Sequence, residues 1–161
     1  MNTETVRIFA DNYTSTDFDK IKYDGNGKSG SKFHDNNGEF RTEVLDYVIP
    51  NINIVKLELV RDLYLALGKS SEDTLSVYTH FNLLAQELLE RGGTDYLFFY
   101  LEGAANTIDT AGHSSRIVLS KDRAKELLAY FDAKKLSTTN KEESKLLVDY
   151  FRRRFVRYAA N

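Results

Sequence analysis

The chain has no cysteine, no tryptophan and a single proline among its 161 residues. Without cysteine there is no disulfide framework, no thiol nucleophile and no zinc site of a cysteine-containing type. No run of about 18 apolar residues occurs, so no segment reads as a membrane span. The opening residues, MNTETVRIFADN, lack a basic n-region and an apolar h-region, and the expected location is cytoplasmic. An excess of one charge is missing as well. Lys and Arg number 22 against 24 Asp and Glu, a formal net charge of −2, which gives no general attraction to nucleic acid or membrane.

What is present suffices for a core. At 42% hydrophobic and 12% aromatic the chain is too apolar to be disordered. Its length fits one domain over residues 1–161, which hides roughly 70% of its unfolded surface. Residues 1–41 differ from 42–161. Asp24 to Glu39 contains no aliphatic side chain, and only Phe33 can anchor it, so it reads as a long polar loop. Before it, Thr5 to Ala10 is short and β-branched, and Phe18 to Tyr23 places Ile21 and Tyr23 on one extended face. The expectation is a small N-terminal β element lying on helices.

From Thr42 the apolar period becomes helical. Thr42 to Ile49 spans two turns, and Pro50 to Leu67 has proline at its start and Gly68 just beyond its end. A strand competes within that stretch, where Ile52, Ile54, Leu57 and Leu59 partly alternate. Ser71 is a good cap for an apolar stripe running to Gly92-Gly93, and Thr94 for a helix from Asp95 to Thr110. Ser115 to Leu119 looks extended. Ser120 then caps a helix to about Leu136, and Thr139 with Glu142 or Asn140 with Glu143 opens a last helix to about Tyr158. The fold expected is mainly α (α+β): an antiparallel bundle of four to five helices, with the small β element and the polar loop.

Three features carry possible chemistry. The run GNGKSG at Gly25 to Gly30 has the spacing of a phosphate-cradling loop, but no helix pattern follows it. A Walker loop would need glycine where Lys22 stands, and a calcium loop counted from Asp24 finds Lys28 and Ser29 at key positions. The run reads as a flexible polar loop.

The second feature is a stripe of Asp95, Glu102, Asn106, Asp109 and His113, spaced by seven, four, three and four residues on one face of a continuous helix. Glu102, Asp109 and His113 can ligate a divalent metal, with Asn106 beside them, in a metal-dependent hydrolase or metal-binding protein. The facing suppliers would be Glu87, Glu90 and His80, which do not repeat the Glu-x-x-His spacing of bundle metal sites. The plainer reading is the solvated side of an amphipathic helix.

The third is the C-terminus, where Arg152, Arg153, Arg154 and Arg157 stand among Tyr150, Phe151, Phe155 and Tyr158. Such a cluster can hold phosphates and stack bases, or simply complement a helix C-terminus. From Asn140 onward six basic groups face three acidic ones, a modest surplus for nucleic acid, so a protein partner is favoured over nucleic acid. Phe151 and Phe155, four apart, are expected in the core.

No nucleophile elbow or catalytic set emerges, and no cofactor is implied. The expectation is therefore a non-catalytic protein-interaction module, in one concrete form a small bacterial immunity or antitoxin-type inhibitor. Glu102, Asn106, Asp109, Arg153 and Arg157 are its candidate partner-binding residues. The metal-dependent reading and a nucleic-acid accessory role for the arginine cluster stand as alternatives.

Overall fold

Apolar residues spaced three to four apart recur through nearly every segment, and they are used as helices. The computed structural model describes residues 3–28 and 32–160. Among them are nine α-helices, where four or five were expected: α1 (Thr3–Asn12), α2 (Gly38–Val48), α3 (Leu57–Thr74), α4 (Phe81–Gly92), α5 (Leu97–Ala105), α6 (Ile108–Ser114), α7 (Lys121–Ser137), α8 (Lys141–Leu146) and α9 (Asp149–Ala160). None is long and apolar enough to cross a membrane.

The N-terminal β element is corrected. Thr5 to Ala10 lies inside α1, because Val6, Phe9, Ala10 and Tyr13 form a helical stripe whose burial against α2 outweighs β propensity. Phe18 to Tyr23 is likewise no strand; it enters a short 3-10 turn, Ser15–Lys20, and then buries Ile21 completely. The described residues contain no strand, only an isolated bridge between Gly25 and Asp35.

That bridge closes the polar loop at its base. Asn26 N–H donates to the His34 carbonyl at 2.9 Å, and Asn36 N–H to that of Asp24 at 3.1 Å. Phe33, the expected anchor, stacks on Tyr23. The buried Arg41 guanidinium pairs with Asp35 and so ties the loop to α2. Ser29 and Gly30 of the GNGKSG run lie outside the described residues.

Pro50 does not open a long helix. It sits in a 3-10 turn, Ile49–Asn51, and α3 begins seven residues later at Leu57. Nor does Gly68 end that helix. It lies within α3, where a side chain would meet Gly103 O at 3.0 Å and Asn106 Nδ2 at 2.8 Å, so glycine serves the close approach of α3 to α5. Ser71 is also internal, its hydroxyl donating to the Gly68 carbonyl at 2.6 Å.

Other limits fall where expected. Helix α4 stops at Gly92, with Gly93 in the left-handed region at φ 57°. Helix α7 follows Ser120, and the Asn140 side chain accepts from Glu142 and Glu143 N–H to open α8. Helix α3 packs on α4 and α5, and α7 lies along α9. Tyr64, Phe81, Leu84, Leu88, Tyr100, Phe131 and Phe155 are completely enclosed between them.

Candidate arginine cleft on the last helix

The continuous acidic stripe does not form. The Asn106 side chain donates to the Glu102 and Gly103 carbonyls and so closes α5. Thr107 then adopts an extended conformation and starts α6, exchanging hydrogen bonds with Thr110. Asp95 lies in the 3-10 turn before α5, Glu102 is exposed on α5, and Asp109 is exposed in the first turn of α6. His113 is half-buried in the last turn of α6.

The facing acids have other work. Glu90 accepts the Ser120 N–H at 3.2 Å, Glu87 lies 3.7 Å from Arg91, and burial raises the Glu87 carboxyl pKa. His80 is exposed beside Tyr78. Among the described residues no three His, Asp or Glu side chains are placed to hold a metal ion.

The arginine cluster, in contrast, divides its members among distinct tasks. Along α9, Phe151, Arg154, Phe155 and Tyr158 fall on the buried face. Arg152 turns aside to form a bidentate pair with Asp132 on α7, at 2.7 and 2.8 Å. Arg153 and Arg157 are exposed, and neither has a carboxylate within ion-pair distance among the described residues, although Arg153 shares a depression with Asp149 and its charge helps lower that carboxyl's pKa.

Arg154 is only 4% exposed. Its Nη2 donates to the Ala111 carbonyl and the Tyr150 hydroxyl, each at 2.6 Å, and its Nη1 to the Tyr100 hydroxyl at 3.3 Å. Its cation lies 4.5 Å from the Tyr150 ring centroid and 4.9 Å from that of Phe151. Burial opposes the Arg154 charge, but interaction with Tyr100 and Tyr150 outweighs it, and the pKa ends above the ordinary arginine value.

The tyrosines around it extend the network. Tyr100 donates to the Ser114 carbonyl, Tyr158 to that of Ser115, and Tyr64 to that of Tyr100. Burial raises the pKa of each of these phenols, so they are neutral hydroxyl donors at neutral pH.

On the solvent side of this network Ser115, Tyr150, Arg153, Arg154 and Arg157 line a cleft of about 480 Å³. Tyr150 also lines a second depression of about 600 Å³, whose members include Asn106, Ile108, Val148 and Phe151. Ile108 there is 91% exposed, Val148 41% and Tyr150 49%, so the groove presents apolar surface beside the arginines. Asn106 belongs in turn to a third depression, with Glu102, Lys22 and Lys69. The structure therefore brings Arg153 and Arg157 to one cleft and Glu102 with Asn106 to another, and places neither Asp109 nor His113 in these linings.

The sequence points to Arg153 and Arg157 as partner-binding residues, holds Arg154 and Tyr150 only as members of the basic-aromatic cluster, and does not point to Tyr100. A signal was present: Arg154 sits three after Phe151 and four before Tyr158, in the middle of an apolar stripe. Comparison with protein-family models, curated proteins and solved structures finds no match to the chain.

Proposed function

We propose that this chain is a non-catalytic protein-interaction module that docks an acidic partner on the face formed by α9 and the end of α5. The observation that carries the reading is the exposed cations Arg153 and Arg157 beside an exposed apolar groove holding Ile108, Val148 and Tyr150. Cations steer and orient an acidic partner, while the apolar groove supplies buried area. Glu102 and Asn106 extend this face, and Asp109 stands exposed near it on α6. A small immunity or antitoxin-type inhibitor, covering its partner's active surface, is one concrete form of such a module. A cytoplasmic setting belongs to the same proposal, in keeping with a chain that needs no disulfide.

Affinity capture from native lysate with the wild type and with Arg153→Glu/Arg157→Glu tests the reading. A stoichiometric acidic protein, retained by the wild type and lost by the charge-reversed variant, is the expected result. A monomer without a stoichiometric partner, or one that captures nucleic acid in a steeply salt-dependent way, overturns it.

A further inference from the structure

Resting on the docking face just described, we propose that the Arg153–Arg154–Arg157 cleft is a site for a phosphomonoester dianion carried by the partner. The first support is an imbalance of charge. A guanidinium removed from water is ordinarily matched by a carboxylate, because burying an unmatched charge is expensive. This chain follows that rule elsewhere: the other buried arginine, Arg41, pairs with Asp35, and the partly exposed Arg61 with Asp62. Arg154 is the exception. Every acceptor that it meets among the described residues is neutral: one backbone carbonyl and two phenol oxygens. The carbonyl end of α6 offers only a partial negative charge in compensation.

The second support is the lining. Two further guanidinium groups without ion pairs, Arg153 and Arg157, border the same cleft. A carboxylate would neutralise one of the three cations, whereas a phosphomonoester brings about two charges and three acceptor oxygens. Donors remain for those oxygens. The Arg154 Nε–H meets no acceptor among the described residues, and the Tyr150 hydroxyl accepts from Arg154 while keeping its own proton to give. The planar fork of arginine suits this geometry better than lysine would.

The test uses the intact chain, calorimetric titration at constant ionic strength, and three probes. These are a capped phosphoserine peptide, its unphosphorylated form and inorganic phosphate. The phosphopeptide is expected to bind about tenfold or more tightly than either of the others. That preference should disappear in Arg153→Ala/Arg157→Ala, whose altered side chains are exposed and leave the core intact. The Arg154 Nε resonance should also shift on binding in the wild type. Equal binding of the two peptides, or binding indifferent to the double substitution, overturns the site. Inorganic phosphate binding as tightly as the phosphopeptide overturns its assignment to a partner-borne group. Partner capture that is lost on charge reversal, but does not depend on phosphorylation, leaves the docking face standing and removes this inference alone.

Discussion

Arg154 Nη2 donates to the Ala111 carbonyl at 2.6 Å, joining two helices whose residues stand 43 apart in sequence. Ala111 belongs to the last turn of α6, where helical carbonyls have no partner within the helix. Tyr100 supplies the Ser114 carbonyl and Tyr158 that of Ser115. One cation and two phenols thus complete the end of a seven-residue helix that could not close its own hydrogen bonds. The same contacts hold α9 against α6 and shape the cleft.

Replacing Arg154 with Met removes the donors but keeps much of the volume. The Ala111 carbonyl and the two phenol oxygens then lose their arginine donor, at a cost of about 3 kcal/mol. Arg154→Lys keeps the charge without the fork and should fall between the two. Chemical denaturation measures the loss, and a cost for Met below about 1 kcal/mol would show that the network is not what ties α9 to α6.

The crossing of α3 and α5 depends on Gly103. A Cβ there would run into the Tyr64 ring, which cannot swing away: its hydroxyl is fixed on the Tyr100 carbonyl at 3.0 Å and on Ser114 Oγ at 2.9 Å. Phe81 stacks on the same ring at 4.4 Å. Gly103→Ala should therefore destabilise by about 2 kcal/mol net, overpacking outweighing a gain of about 1 kcal/mol in helix propensity. A melting temperature equal to or above the wild type's would contradict this.

The start of α7 and the end of α4 were readable because Ser120 and Gly93 act locally, Ser120 as an extended residue at the helix start and Gly93 through a left-handed backbone. Helix α1 was not. Its β-branched residues argue for a strand, and only the burial of Val6, Ala10 and Tyr13 decides otherwise. Gly68 misled for a similar reason, since local rules treat glycine as a stop while here a second backbone needs its space. The site was half readable. The helical period sets Arg154 among Phe151, Phe155 and Tyr158, but tertiary contacts alone separate the paired Arg152 from the exposed Arg153 and Arg157.

Leu75 ends α3 at φ 53°, a left-handed conformation that a branched side chain adopts at a cost. Its side chain is 84% exposed, so little packing would be lost on removing it. Leu75→Gly should stabilise the chain by about 1 kcal/mol, the relief of that strain exceeding the added freedom of the unfolded state. Thermal melting decides; a lower midpoint would mean that Leu75 makes contacts in solution which offset the strain.

Acid should loosen the polar loop through Asp35. Burial pushes its carboxyl pKa up, but the Arg41 hydrogen bond and charge, with the backbone N–H groups of Asp24 and Asn37, outweigh it and hold the pKa below the ordinary 3.8. A folded-state pKa below the unfolded one means the carboxylate adds stability above the unfolded value and loses it as pH falls through the folded one. Wild-type stability should thus decline below about pH 4, along with protection of the Asn26 amide that donates to His34. Other carboxylates lowered by their own partners, such as Asp132 beside Arg152, add to that decline, so Asp35→Asn is the needed comparison. The variant should be the less stable protein at pH 7, with the gap between the two stability curves closing as pH falls from about 4 through the folded-state value. A gap of constant size down to pH 2 would mean that Asp35 stabilises by its shape and not by its charge.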